Sequence, residues 1–429
     1  MSHTMNYSKT FFTVPVPEDR IACELEANTV PLPERTPEEN VRYALAHPIG
    51  SPTLDRLVTP GEKVCVIIPD VTRRWQSPGV YVPIVIEALN QAGIPDRDIT
   101  ILSANGTHRK QSDEEKVSLV SQDIFDRIGV VDHVCTDKDS LVYLGTTSRG
   151  TPVWVNKLAM EADKVILTGG ITYHFLAGFG GGRKYILPGI SGHETIMKNH
   201  NLALNPGFGS GSNPEVRSAN LSASNPFHMD MAEAAAMVKP AFLMNVVVND
   251  SFQIISAFAG DYIKAHKEGC KLVDRMEGIH VTERTPLVIA SAGGYPKDIN
   301  LYQSSKTLCN ALAVAEPGGA IILLSECTEN FGDVECGKLI TGFDNMDARE
   351  HYVRDNFSIG GFIGFMFAEA AEKHNLILVT SMDQSQFCKT KIKTAKTLDE
   401  ALSFAYRLVG KDDLRVTLLP HGANTLPKF

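Results

Sequence analysis

Short, almost wholly apolar runs constrain this chain more than any other feature of its sequence. They are Val64-Cys-Val-Ile-Ile-Pro-Asp70, Ile99 to Asn105, Lys164 to Gly170, Leu287 to Gly293, Ala320 to Ser325 and Leu376 to Ser381. Each is too short for a helix of ordinary length and apolar at successive positions, the pattern of a strand covered on both faces. Between them lie helical patterns. Gly79 to Ala92, for example, carries Val82, Ile84, Val85, Ala88 and Leu89 on one side. Strands of this kind alternating with helices predict an α/β fold: two α/β domains with mainly parallel sheets facing across an active-site cleft.

A chain of 429 residues has room for two or three domains. A polar stretch from Ala265 to Pro286 precedes a fresh strand, so the boundary is expected near residues 265–285. This gives an N-terminal domain of residues 1–272, which 411–429 can rejoin, and a C-terminal domain of residues 273–410. Asn205 to Pro226 is rich in Gly, Ser and Asn and reads as a long loop, a feature often functional in a compact enzyme. The sequence shows neither an internal repeat nor a low-complexity tract.

A net charge of -9 without a dense Lys/Arg run argues against nucleic-acid binding. It leaves room for a local anion site. The eight cysteines are scattered without a C-x-x-C pair, as expected of reduced thiols and not of a structural zinc site. Met1-Ser-His-Thr-Met5 lacks the basic and apolar blocks of a signal peptide. No apolar run reaches the roughly 18 residues of a membrane span. A cytoplasmic protein without membrane segments is expected.

The chemistry concentrates at strand ends. Asp70, His108 and His174 each follow a predicted strand, where open α/β sheets bind ligands. His174-Phe-Leu-Ala-Gly-Phe-Gly-Gly-Gly-Arg-Lys184 joins a histidine, glycines 180–182 and an Arg-Lys pair, with His200 further on. Gly181 and Gly182 would let backbone amides approach a ligand. Lys184 could meet an anion or act as a nucleophile, and the histidines could move protons or bind metal. A flexible turn with solvated Arg183 and Lys184 would need the same glycines. The turn is not a Walker A loop, because Arg183 separates the last glycine from Lys184 and Tyr185 follows. This disfavours a P-loop phosphotransferase.

Asp70-Val-Thr72-Arg73-Arg74-Trp75 offers an acceptor and anion-directed donors, or a capped turn with exposed arginines. In Leu301-Tyr302-Gln303-Ser-Ser-Lys306, a helix start places Tyr302, Gln303 and Lys306 on adjoining positions. Tyr302 as core and Lys306 as a solvated residue is the competing reading. His193 is close enough to His200 to be a rival ligand.

Taken in order and spacing, these motifs resemble the nickel-dependent lactate racemase family over nearly the whole chain. The D-x-T-R pattern at Asp70–Arg73, the strand-end His108, H-F-x-A-G-F-x-G-G-R-K from His174 to Lys184, His200, and L-Y-Q-x-x-K from Leu301 to Lys306 carry the likeness. The resemblance implies racemisation or epimerisation of a 2-hydroxy acid by proton-coupled hydride transfer. Hydride would pass from substrate Cα to a nickel-pincer nucleotide and return to the opposite face of a 2-keto acid. It implies Lys184 as the covalent anchor of that nucleotide and His200 as the nickel ligand. His108 and His174 would be the two proton carriers, and Arg73, Gln303 and Lys306 would hold carboxylate and oxyanion. Asp70, Thr72, Tyr302 and the Gly181–Gly182 backbone would position the cofactor. It also implies partner proteins that make the cofactor, so the isolated protein can be empty.

The chain departs from the family where Arg74-Trp75-Gln76 replaces a small proline-containing stretch. This predicts a substrate larger or more polar than lactate. The alternative from a different class is a protein that binds the nickel nucleotide, or a phosphorylated ligand, without racemase turnover.

Overall fold

The computed structural model describes residues 3–26, 28, 35–249 and 251–429. Met1 and Ser2 of the N-terminal segment discussed above lie outside them. The chain divides into two units, one of residues 30–203 and 214–274, the other of residues 1–29, 204–213 and 275–429.

The unit of residues 30–203 and 214–274 is built on a six-stranded sheet. Its spatial order is Ile254–Gly260, Phe242–Val248, Lys164–Gly170, Val64–Pro69, Ile99–Ala104 and Val131–Asp132. All neighbours are parallel except the first pair. Val64 to Ile68 are buried throughout, as their unbroken apolar run requires. Val64, Val66 and Ile68 share a core with Tyr81, Val82, Val85 and Leu89 of the helix Pro78–Gln91. Each fully buried aliphatic side chain of this kind contributes ~1.5–3 kcal/mol.

The path of the chain through this sheet matters for function. From Val64–Pro69 it adds Ile99–Ala104 and Val131–Asp132 on one side, then returns to lay Lys164–Gly170 on the other. The reversal leaves the carboxyl ends of Val64–Pro69 and Lys164–Gly170 flanking a switch point, where connections depart in opposite directions and a crevice opens.

The other unit holds a six-stranded, all-parallel sheet. Its order is Lys393–Ala395, Asn375–Val379, Ala315–Leu324, Thr285–Ser291, Val416–Leu419 and Ile21–Glu24. This corrects the expected domain limits. Residues 1–29 and 411–429 both belong with the C-terminal sheet, because Val416–Leu419 pairs with Thr285–Ser291 on one side and Ile21–Glu24 on the other. The apolar, Gly-rich stretch at Phe357–Phe367 enters the helix Ile359–Lys373, whose residues 360–368 are all buried.

Residues 205–225 are irregular, as the composition predicts, and the helix Pro226–Val238 follows. Within that stretch, residues 204–213 are seated on helices of the C-terminal unit. Glu350 Oε1 accepts from the amides of Gly209 (3.1 Å) and Gly211 (3.2 Å). Arg354 donates to the Asn205 carbonyl (3.0 Å), and Phe208 stacks on His351 at 3.7 Å. Among the described residues, no helix is long and apolar enough to cross a membrane.

Candidate active site

Three turns leave the carboxyl end of the first sheet, and each carries expected site residues. Asp70 follows Val64–Pro69 directly and is buried. Its Oδ1 accepts from the Thr72 hydroxyl (2.6 Å) and its Oδ2 from His108 Nδ1 (2.6 Å). A carboxylate can only accept, so His108 carries its proton on Nδ1 and its lone pair on Nε2. The His108 side chain is 45% exposed, which keeps the ring accessible from solvent. One carboxylate oxygen thus orients His108, while the Thr72 hydroxyl holds the other.

His174 is arranged the other way round. It lies in a two-residue strand, Tyr173–His174, paired with Gly178–Phe179 across a tight turn. Its ring folds over that turn, and Nδ1 accepts from the amides of Leu176 (3.2 Å) and Ala177 (3.1 Å). Backbone N–H groups can only donate, so the proton of the neutral ring sits on Nε2. Nε2 lies 2.9 Å from Lys184 Nζ. A donor at Nε2 is matched by a neutral amine at Nζ. The environment agrees, since burial, and secondarily the Arg73 cation, pulls the Lys184 ammonium down to about 7.

His200 ends the helix His193–His200 and is buried. Its Nδ1 lies 2.8 Å from the Ile196 carbonyl, which can only accept, so the lone pair is on Nε2. Burial, and then the charge of Lys184, pushes its pKa down to about 3. It is therefore a neutral imidazole at any physiological pH, with the tautomer fixed by a carbonyl on the far nitrogen, the form a metal ligand takes. His193 is exposed at the opposite end of the same helix. At a rise of about 1.5 Å per residue the two lie roughly 10 Å apart along the axis, too far to share a metal.

The glycine turn is packed, not open. Gly182 has φ +52° and a Cβ there would lie 2.7 Å from His266 Cδ2; one on Gly181 would lie 2.7 Å from Asn245 Oδ1. The Gly182 amide donates to Asn245 Oδ1 (2.9 Å). The missing Cβ atoms let the turn press against Asn245 and His266. Arg183 is likewise buried, and donates to His228 Nδ1 (2.9 Å) and toward His266 Nδ1 (3.5 Å).

Comparison of the whole chain with known proteins shows its family. Residues 7–211 match the model of the lactate racemase N-terminal domain, and residues 281–426 that of the lactate racemase C-terminal domain. The lactate racemase of Lactiplantibacillus plantarum is 34% identical over 428 residues, 98% of each chain. That of Thermoanaerobacterium thermosaccharolyticum is 31% identical over 426 residues, 98% of this chain and 97% of its own. The structure of the lactate racemase apoprotein from the latter organism superimposes with a TM-score of 0.87 over all of both chains, at 30% identity.

This chain belongs to the lactate racemase family.

It is an isomerase of the racemase class. A Thermotoga maritima protein with a TM-score of 0.60 and 16% identity shares the fold with this racemase, covering 91% of this chain and 98% of its own.

Within the racemase, the first unit gathers Asp70, Thr72, Arg73, His108, His174, Lys184 and His200 onto one end of its sheet and the helix that follows. Arg73 lies close enough for its charge to act on Lys184. Tyr302, Gln303 and Lys306 belong to the other unit. They occupy the first turns of the helix Leu301–Val314, capped by Asn300, whose side chain accepts from the Gln303 amide (2.9 Å). Gln303 and Lys306 are exposed and Tyr302 half-buried. Sequence reasoning missed Gln76, whose Oε1 accepts from the Gly170 amide (2.9 Å) and the Tyr185 hydroxyl (3.1 Å). It thereby ties the Arg73 turn to the Lys184 turn. A Cβ on Gly170 would fall 2.6 Å from the Gln76 amide carbon, so the strand end is shaped to admit it. Trp75 leans toward Phe252, with ring centroids 6.2 Å apart, while Arg74 is exposed.

Proposed function

We propose that this protein racemises a small 2-hydroxy acid, with lactate the first candidate, using a nickel-pincer nucleotide held by Lys184 and His200. The observation that carries the reading is the pair of histidines, His108 and His174, set on turns that leave the same end of one sheet from the two strands flanking Val64–Pro69, with a buried neutral imidazole and a readily neutral amine beside them. The residues fit the group. His200 offers a lone pair on Nε2, and a neutral Lys184 is a competent nucleophile for an acyl-type carbon. Nitrogen from imidazole and sulfur from a cofactor form a donor set suited to Ni(II).

When bound, the nickel nucleotide supplies the acceptor for the hydride of the substrate Cα. The chain's own residues manage protons and charge. His108, held by Asp70, takes the hydroxyl proton of one enantiomer at Nε2 and returns it in the reverse direction. His174 serves the mirror image. Arg73, together with Gln303 and Lys306, is assigned to the carboxylate and the developing oxyanion. Tyr302 is assigned to cofactor positioning. Proteins that make the cofactor are its partners. A substrate larger or more polar than lactate remains the finer form of the proposal. Arg74 supports it more than Trp75, whose ring has Phe252 beside it.

The test is co-expression with the cofactor-making proteins, followed by nickel analysis, intact mass and racemisation of lactate and of larger 2-hydroxy acids. The expected result is about one nickel per chain, added mass that Lys184→Ala abolishes, and interconversion of enantiomers. Nickel and added mass without turnover on any 2-hydroxy acid would favour a carrier or sensor. Absence of both would sink the proposal.

A further inference from the structure

The helix His193–His200 is eight residues long and ends on the residue proposed to hold nickel. The last turn of a short helix frays, because its final carbonyls have no partner within the helix. A metal ligand placed there needs support from outside.

The following helix supplies it. Asp230 is buried on Pro226–Val238 and takes no part in the proposed reaction. Its Oδ2 accepts from Asn199 Nδ2 (2.9 Å) and its Oδ1 from the Thr147 hydroxyl (2.5 Å). The Thr147 oxygen also accepts from the Thr151 amide (3.1 Å), so its own proton is the one given to Asp230. A carboxylate can only accept, which turns the Asn199 nitrogen toward it. The same nitrogen donates to the Phe227 carbonyl (3.2 Å). Both donors to Asp230 are neutral. Burying a carboxylate against neutral groups is costly, and an apolar side chain of similar size would join two helices at less cost. Packing alone therefore does not account for Asp230.

Phe227 completes the grip. Its carbonyl holds Asn199, and its ring meets the His200 imidazole edge-on, with centroids 4.9 Å apart and planes at 76°. Phe227 and Asp230 stand three positions apart, on one face of their helix. Together they hold two consecutive residues, Asn199 by hydrogen bonds and His200 by ring contact. His200 Nδ1 is tied within its own helix to the Ile196 carbonyl (2.8 Å), so the ring moves with the turn that carries it.

We infer that Asp230 and Asn199 are positioning residues for His200, pinning the last turn of its helix so that the Nε2 lone pair keeps one direction. This rests on the reading of His200 as the nickel ligand, and deepens it. Without the pin the turn can fray, the bond from Nδ1 to Ile196 opens, and the imidazole loses its fixed aim.

The test is solvent exchange of histidine ring N–H protons, followed by nitrogen-15 NMR on the full-length, cofactor-free protein. The His200 signal is assigned by its loss in His200→Gln. The wild type is expected to show a protected His200 Nδ1–H. Asp230→Leu and Asn199→Leu are each expected to lose that protection. The ring proton of buried His266, whose Nε2 lies 2.8 Å from the Gly180 carbonyl, should stay protected in both. Asp230→Asn can still accept from Asn199 and meet the Thr147 hydroxyl, and is expected to keep His200 protected. In nickel-loaded protein the two leucine variants should release nickel to a chelator about 10–100-fold faster than the wild type. An unprotected His200 ring in the wild type overturns the inference without any variant. So does unchanged protection or unchanged nickel release in a leucine variant that remains folded by circular dichroism. Equal loss at His200 and His266 also overturns it, since that would be general loosening. A wild type that takes up no nickel would overturn the proposed function and leave the exchange result standing.

Discussion

The His108 turn and the His174 turn occupy corresponding places at strand ends of one sheet, yet their rings are held in opposite states. A buried carboxylate stands behind His108, so the proton lies on Nδ1 and the working nitrogen carries a lone pair. Two backbone amides stand behind His174, so the lone pair is inward and the working nitrogen carries the proton. Racemisation needs one group to take a proton and another to give one. In the resting chain only His108 presents a lone pair outward. His174 could return a proton from Nε2 only as the doubly protonated ring, because giving up the sole proton of a neutral imidazole would leave an imidazolate. A neutral imidazole N–H can also polarise a carbonyl oxygen without a full charge. For His174 to act as a base, its proton must move to Nδ1 and the Leu176 and Ala177 amides must release it.

The strongest challenge to this comparison is removal of each ring. In nickel-loaded enzyme, His108→Ala and His174→Ala should each reduce racemisation by about 10²–10⁴-fold, the usual contribution of a positioned acid or base. Both should retain nickel. Unchanged turnover in either would remove that ring from the proton path.

Asp70→Asn tests the difference between the turns. An amide can present its N–H to Nδ1, favouring the wrong tautomer of His108. A loss of roughly 10²–10⁴-fold is expected, by analogy with the amide variant of a catalytic Asp–His pair. Stopped-flow formation of the 2-keto acid from each enantiomer should slow for one hand only. Equal slowing of both would mean that Asp70 does not serve His108 selectively.

Gly182→Ala attacks the His174 side through the backbone. The left-handed φ and the close approach to His266 should together destabilise the protein by ~1–3 kcal/mol in denaturant titrations. A neutral outcome would show that the turn can yield.

The gentlest test is pH. In cofactor-free protein, labelling of Lys184 by an amine reagent should rise through a midpoint near 7, well below ordinary lysine, as mapped by mass spectrometry. His200, His228 and His266 have folded pKa values near 3, against 6.5 unfolded. Depressed values mean the unfolded chain binds more protons. Their contribution to stability is therefore full above 6.5 and is lost as pH falls toward 3. A melting temperature that holds steady across that window would contradict their buried, neutral state.

Much of this was legible in the sequence where the signal is local. Val64–Pro69 and Lys164–Gly170 are continuous apolar runs, and Asp70 and His174 follow them within a few positions. The Ile21–Glu24 strand was not legible, because it is short, ends in a charge and is only half-buried. Gln76 and His228 escaped for another reason. Their partners lie 109 and 45 residues away, and nothing near them in sequence marks an amide or an imidazole as a brace. Composition alone cannot say on which side of the Lys184 turn its glycines leave space; Asn245 and His266 fill the Cβ side of Gly181 and Gly182.

The strand Ile21–Glu24 has one further consequence, for the order in which the protein can be made. Its sheet neighbour, Val416–Leu419, is synthesised about 390 residues later. At about 5–20 residues per second the first strand waits on the order of 20–80 s with its pairing edge unfilled. The sheet that carries the histidine turns has all its strands by Gly260 and can close in the meantime. The half bearing His108 and His174 is thus free to mature first, and the half bearing Gln303 and Lys306 completes its sheet only once Val416–Leu419 has been made.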